Sequence, residues 1–173
     1  MTLAKRINLE ERLARFEIDD TTRGNLRIFY PVIVTHIDRI VIRFYEYLAR
    51  FTDAQDILND YDVDLLREKQ RKHWLQLFSG EFDADYVNRS IMIGLSHFQA
   101  RVPPHIYMAS YSFFVSNLLA IPDMHIGGHE FRAVAISINK IIMLDMSIVM
   151  NAYMLDSFSS AAPPAGRADN DLI

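Results

Sequence analysis

Apolar residues recur every three or four positions along most of this chain, which is the spacing of one face of an α-helix. The stretch that follows Pro31 shows the pattern most clearly, and it predicts one long helix with a buried face. The inward positions of that helix are Ile33, Ile37, Ile40, Val41, Phe44, Leu48 and Phe51. Strand-like alternation is nearly absent. The pattern therefore favours an all-α fold.

Capping residues divide the N-terminal half into further helices. An amphipathic segment from Leu3 to Phe16 comes first, and Asp19 with Asp20 marks a second start. Asp, Ser, Thr and Asn are favoured at such starts because their side chains accept hydrogen bonds from free amides. Thr52 and Gln55 have the spacing of a capping box that opens a short turn. Asp62 is expected to open the next helix, which ends near Gly80 and has Leu66, Gln70, His73 or Trp74, and Leu77 as inward positions.

The C-terminal half has comparable boundaries. Asp83 is expected to open a helix that passes through His97 to about Arg101, and Pro103 and Pro104 then set the first turn of another that runs to Pro122. Gly127 and Gly128 precede a last long helix over 129–158. The small, polar, proline-bearing tail 159–173 is expected to be disordered or a linker to a module that this sequence does not contain. Residues 1–158 are then one domain.

Composition narrows the function. With 173 residues, half of them apolar and 12% aromatic, one domain has enough apolar material to line an internal pocket as well as a core. The net charge of -4 argues against nucleic-acid binding, since phosphate-binding surfaces are usually basic. The chain contains no cysteine, which excludes disulfides and Cys-linked haem. Neither a signal peptide nor a membrane span is apparent, so a cytoplasmic protein is expected.

His97 is the candidate for chemistry. Tyr86, Ser90, Ile93 and Gly94 share its helix face at 3.6 residues per turn. Glycine inside a helix costs about 1 kcal/mol relative to alanine, so Gly94 suggests that something bulky approaches the backbone there. From spacing alone, His97 is either a hydrogen-bonded core histidine or a neutral imidazole that ligates a metal, most simply haem iron.

Several segments, in order, resemble the globin domain of globin-coupled sensors, a bacterial and archaeal haem family. PVIVTHIDRIVIRFYEYL is similar to the family's second helix with its Phe-Tyr pair, here Phe44 and Tyr45. RKHWLQLFSGEFDADYVNRSIMIGLSH resembles the region that ends on the iron-ligating histidine, which corresponds to His97. PPHIYMASY looks like the family's proline and tyrosine signature, and it places Tyr107 beside that ligand. The resemblance covers residues 28–158.

This resemblance implies a globin fold with an extra N-terminal helix and a non-covalent haem b, five-coordinate through His97. The iron would bind O2, and also CO or NO, and Tyr45 would donate a hydrogen bond to bound O2. Other residues expected to contact the cofactor or the bound gas are Leu66 as a pocket wall, Phe44, Ile93, Gly94, Tyr107 and Lys69. The implied function is a gas-sensing input domain, not an enzyme, that dimerises through its last two long helices and signals to a C-terminal output module.

Alternatives stay open at this point. His73 is a possible second iron ligand. The basic residues Arg67, Lys69, Arg71 and Lys72 form a solvated helix face, or one of them meets a haem propionate. His125 and His129 have an i, i+4 separation but no evident third metal ligand. A different function would be a helical interaction domain that keeps the globin fold without haem. An enzyme is disfavoured because no acid-base pair converges near His97.

Overall fold

The computed structural model describes residues 7–121 and 128–160, with side chains at 128–130, 152 and 155–160 outside the description. Within these ranges the chain forms helices and connections, without a strand. The helices are α1 (Leu9–Arg15), α2 (Asp20–Leu48), α3 (Thr52–Leu58), α4 (Val63–Ser79), α5 (Ala84–Gln99), α6 (Pro104–Leu119) and α7 (Gly128–Ser160). The predictions for 3–6, Pro122, His125, Gly127 and the tail after 160 concern residues outside the description.

Acidic caps set three helix starts where the sequence predicts them. The Asp19 carboxylate accepts from the backbone N–H of Thr22 at 2.8 Å, and Asp62 and Asp83 cap α4 and α5 in the same way. Gly80 ends α4 with φ of 74°, in the left-handed region that a residue without Cβ enters at no steric cost. Residues close in sequence therefore determine where these helices begin and where α4 ends.

Two predictions near α2 and α3 are wrong. Pro31 does not open a helix but lies inside the 29-residue α2, on its exposed side. There the carbonyl one turn earlier, which loses its amide partner to the proline ring, can face water. The Thr52 capping box does not form either: Phe51 is the N-cap without a side-chain bond, and the Gln55 amide instead donates to the Ala49 carbonyl. Phe51 is 45% exposed, so the buried face ends before it.

The core forms where α2 crosses α4, α6 and α7, and where α5 packs along α7. The predicted face of α2 is buried from Ile33 to Phe44, and Leu48 packs against the core at its edge. On α4, Trp74, Leu77 and Phe78 are almost completely buried. The helices thus enclose an interior of aliphatic and aromatic side chains.

One part of α7 is as apolar as a membrane helix. Phe131–Asn151 is 21 residues long with a mean hydropathy of 1.8, which is sufficient by length and composition to cross a membrane. Half of this stretch is buried inside the protein, where it packs on α5, α2 and α6. A core helix of a globular domain has the same composition, so the burial accounts for the hydropathy.

Candidate functional site

A cavity of about 540 Å³ lies between α2, α3, α4, α5 and α6. Its size falls within the roughly 300–1,000 Å³ typical of small-molecule pockets. The wall is mostly apolar, with a few polar groups. Residues that line it from the five helices include Phe44, Tyr45, Leu48, Ile57, Leu58, Leu66, Lys69, Gln70, His73, Trp74, Met92, Ile93, His97, Ile106, Tyr107, Tyr111 and Phe114.

His97 presents one free ring nitrogen at this wall. Its Nδ1 lies 2.8 Å from the Ile93 carbonyl oxygen, which can only accept, so Nδ1 carries the hydrogen. Burial lowers the pKa of His97, the hydrogen bond to Ile93 opposes the shift, and the charge of His73 adds to it. The ring is therefore neutral near pH 7. Among the described residues nothing bonds to Nε2, which keeps its lone pair for a metal.

Tyr107 packs its ring edge-to-face on His97, with ring centroids 4.9 Å apart. This contact and the bond to Ile93 hold the imidazole from two sides, so that its plane is set before any ligand binds. The predicted place of Tyr107 beside His97 agrees with this geometry.

Tyr45 stands across the wall on α2, and its ring lies edge-on to Phe44 at 5.2 Å between centroids. The Arg67 guanidinium lies 5.9 Å from the centre of the Tyr45 ring. Burial raises the pKa of Tyr45 to about 12 despite the opposing charge of Arg67, so the hydroxyl keeps its proton. No described residue hydrogen-bonds to this hydroxyl. It is a donor available to a ligand in the cavity.

Of the other residues predicted to contact the cofactor or the gas, all but Gly94 line the cavity. Phe44, Leu66 and Ile93 line the cavity with His97 and Tyr45, and Lys69 does so from an exposed position. Gly94 is buried in α5 one turn before His97, but it is not among the described lining residues. A role for Gly94 in direct cofactor contact therefore has no support in this geometry.

A buried carboxylate on α7 adds a network that the sequence reasoning missed. Asp145 is fully buried, and its Oδ1 accepts hydrogen bonds from Tyr86 and Ser90, both at 2.9 Å. Its Oδ2 accepts from Tyr111 at 2.5 Å and lies 3.0 Å from Nε2 of His73. Burial raises the pKa of Asp145, but the His73 charge and the hydrogen bonds outweigh it, so that the pKa lies below its ordinary value.

The ionised carboxylate fixes the direction of the bonds around it. A carboxylate only accepts, so Nε2 of His73 and the Tyr111 hydroxyl both donate to Asp145. Since Tyr111 has used its hydrogen, it accepts from the Tyr107 hydroxyl, 2.8 Å away. Burial, and next the Asp145 charge, raise the pKa of Tyr107 and Tyr111, and both keep their protons. The bonds thus run from Tyr107 beside His97 to Asp145 in α7.

This network bears on the alternative of His73 as an iron ligand. Its Nε2 donates to Asp145, so ligation through that nitrogen requires the bond to break and expose a buried charge.

The basic residues of α4 differ in their surroundings. Arg71 pairs with Asp38 at 2.7 Å and Arg67 with Asp64 at 2.9 Å, while Lys69 stays at the cavity. Among the described residues no cluster of three or more His, Asp or Glu side chains is placed to hold a metal ion.

Trp74 adds an aromatic surface to the cavity wall and a buried donor without a described partner. It is 1% exposed, lines the cavity and stacks on Phe114 with centroids 4.4 Å apart. Its indole N–H is buried without a partner in the described part of the chain. Buried donors are nearly always bonded. Together with a neutral imidazole nitrogen and apolar aromatic walls, this wall fits a large, mostly apolar group with an iron centre.

The sequence contains only weak signals for Asp145 and Tyr111, the network residues that the sequence analysis missed. Asp145 is the only charged residue in the apolar run 141–150, which is unusual for a buried helix face. Tyr111 stands four residues after Tyr107, on the same face of its helix. Neither pattern predicts the bond between Tyr111 and Asp145, because these two residues lie on different helices.

Helices packed around such a cavity, with one neutral histidine at the wall, define the globin class of all-α domains. Residues 6–158 match the family model described as Protoglobin, and the chain belongs to that family. The family resemblance and the globin fold predicted from the sequence are confirmed, and α1 is the additional N-terminal helix.

The chain is also similar to one curated protein and to one solved structure. It is 29% identical over 174 residues to the "Heme-based aerotactic transducer HemAT" of Halobacterium salinarum, an alignment that covers 91% of this chain and 35% of the relative. The chain thus spans about a third of that curated relative. The solved globin domain of a Geobacter sulfurreducens globin-coupled sensor superposes with a TM-score of 0.79 at 21% identity, covering 85% of this chain and 98% of the other.

Proposed function

We propose that this chain is a haem-based gas-sensing domain that binds O2, and also CO or NO, at a five-coordinate haem b. The single observation that carries the proposal is the free Nε2 of a neutral His97 at the wall of an apolar cavity. Membership of the Protoglobin family and the similarity to a protein named as a heme-based aerotactic transducer support it. When bound, ferrous haem supplies an iron atom with one position open to a diatomic gas.

His97 is proposed to hold the cofactor through Nε2, with its ring fixed by the Ile93 carbonyl and Tyr107. The aromatic and aliphatic walls would bury the porphyrin, with Phe44, Ile93 and Leu66 among the contacts. Lys69, exposed at the cavity, is the α4 cation best placed to meet a propionate, since Arg67 and Arg71 already have carboxylate partners.

Tyr45 is proposed to be the donor to bound O2. Its hydroxyl is protonated and has no partner among the described residues, while Phe44 fixes its ring. Leu66 on α4 would close the same side of the pocket without adding a second polar group. A single donor in an apolar site favours a polar ligand over a less polar one.

We further propose that the domain acts as a homodimer and passes its signal to a C-terminal output module, in a cytoplasmic protein. Exposed apolar side chains on the last two long helices support a partner surface there. They are Met108 and Leu119 on α6, and Ile136, Met143 and Met154 on α7. Sedimentation velocity of the wild-type protein would test this, since a monomer at micromolar concentration would contradict it.

Reconstitution with hemin tests the central proposal. The wild-type protein is expected to take up one haem per chain with a sharp Soret band, and His97→Ala to lose that band. His36→Ala is the matched control, because His36 is also partly buried but is not one of the described cavity residues. A wild-type protein that takes up no haem would instead support an interaction domain without a cofactor.

A further inference from the structure

Asp145 joins three helices of the pocket to a fourth. Its donors are His73 on α4, Tyr86 and Ser90 on α5, and Tyr111 on α6, while Asp145 itself belongs to α7. Four donors share two oxygens, so the carboxylate is fully engaged. A buried charge that loses a donor leaves part of its charge unsolvated, which is costly. Asp145 and its donors are therefore expected to move together.

Both sides of the cavity reach this carboxylate. On one side, His73 lines the cavity and donates directly. On the other, Tyr107 packs on the ring of His97 and donates to Tyr111, which donates to Asp145. His97 itself lies on α5, the helix that carries Tyr86 and Ser90. A displacement of the imidazole or of the α4 wall thus changes the donors of one carboxylate.

The described lining residues of the cavity lie on α2 to α6 and their connections. In the described part of the chain, α7 contacts the site through the Asp145 network and through Tyr153, whose ring packs on Tyr107 with centroids 5.7 Å apart. Since α7 is the last described helix and runs from Gly128 to Ser160, a change at Asp145 acts near its middle.

We propose that Asp145 is a positioning residue that couples the state of the pocket to α7. This inference rests on the proposed function and deepens it, since it names the side chain through which gas binding would reach the last helix. Asp145 would do so by holding His73 and, through Tyr111 and Tyr107, the orientation of the His97 ring. It would not touch the cofactor or the gas.

The test compares Asp145→Asn with Ser137→Ala in the haem-loaded protein. Asparagine has the same shape but keeps an acceptor oxygen on one side only, so that one of the two donor pairs, Tyr86 with Ser90 or Tyr111 with His73, loses its acceptor. Ser137 is the matched control: it is also buried on α7, but it bonds to Asn25 of α2 and to the Ala133 carbonyl. The readouts are the iron–histidine stretching frequency by resonance Raman and the CO-dependent change in hydrogen exchange of peptides from α7.

The wild type and Ser137→Ala are expected to share one stretching frequency and a CO-dependent exchange difference in α7. Asp145→Asn is expected to bind haem, to shift the frequency and to lose the exchange difference. If Asp145→Asn does not fold, Tyr111→Phe replaces it. That variant removes one hydroxyl and so separates Asp145 from Tyr107, and the frequency shift is expected there too.

Two results would overturn the inference. One is an unchanged frequency and exchange difference in Asp145→Asn or, where it does not fold, in Tyr111→Phe. The other is a wild-type protein in which CO leaves exchange in α7 unchanged. Both can occur in a protein that binds haem normally, so they leave the proposed function intact. Failure of the wild type to take up haem would overturn both proposals, and the Soret band identifies that case.

Discussion

At the residue scale, the Tyr45 hydroxyl is a single group whose removal has a defined consequence. Tyr45→Phe keeps the packing on Phe44 and removes the donor. A hydrogen bond of about 0.5–1.5 kcal/mol corresponds to a roughly two- to tenfold loss of O2 affinity, expressed mainly as faster dissociation. Stopped-flow measurement of O2 release checks this. Tyr47→Phe is the control, because that ring packs on Phe51 and Phe113 instead; equal release rates in the two variants would refute the role of Tyr45.

Asp145 gives a prediction about pH. Its pKa is lower in the folded than in the unfolded protein, so it stabilises the fold above about pH 4 and loses that effect as the pH falls further. Asp145→Asn is expected to lower the free energy of unfolding by about 1–3 kcal/mol near pH 7, since buried donors lose their acceptor. The difference from wild type should shrink below about pH 4.

Urea unfolding of both proteins across this pH range measures that difference. Ser137→Ala supplies the comparison, because a buried serine does not titrate and its effect on the unfolding free energy should not vary with pH. A pH-independent difference for Asp145→Asn would show that the carboxylate is not ionised in the fold.

His97 and Asp145 show what a single sequence can and cannot reveal about a site. His97 is recognisable because it lies on the inward face of its helix and because one of the family motifs ends on it. Asp145 carries no comparable motif: its four donors come from three other helices, 34 to 72 positions away in the chain. Hydrogen-bond partners at such separations depend on how the helices pack against one another. The pattern of neighbouring residues in the sequence does not determine that packing.

At the element scale, a glycine just after a helix and a glycine inside a helix are expected to respond oppositely to replacement by alanine. Gly80 ends α4 with φ of 74°, where an added Cβ would meet Leu26 Cδ1 at an ordinary 3.6 Å, so the cost is conformational. Gly80→Ala should destabilise by about 1–2 kcal/mol. Gly24 lies inside α2 with no atom within 4 Å of an added Cβ, so Gly24→Ala should stabilise by about 1 kcal/mol. Urea unfolding of the two variants measures both signs; the same sign in both would contradict this interpretation.

Helix boundaries were predictable where they depend on neighbouring residues. Asp19, Asp62 and Asp83 each bond to amides two or three positions ahead, and the sequence contains all the information needed. Pro31 was not predictable in this way. Whether proline opens a helix or lies inside one depends on tertiary packing, and here the buried residues on both sides, Phe29 and Ile33, keep α2 continuous.

At the scale of the whole molecule, the cavity exists only when five helices are in place. A ligand that binds the folded chain alone raises the free energy of unfolding by about 2.7 kcal/mol at a free concentration roughly 100-fold above its Kd. Hemin is therefore expected to stabilise the wild type and His36→Ala, and to stabilise His97→Ala much less, because the coordinate bond is lost. Denaturant unfolding followed by far-UV circular dichroism measures the gain.

The location of the bound hemin can be checked in the same samples. Trp74 is the only tryptophan of the chain and lines the cavity, so haem within it should quench nearly all of the tryptophan fluorescence. Quenching that saturates at one haem per chain, together with a stability gain that depends on His97, is the expected result. An equal gain in His97→Ala would contradict ligation by His97. A gain without quenching would place the haem outside the cavity.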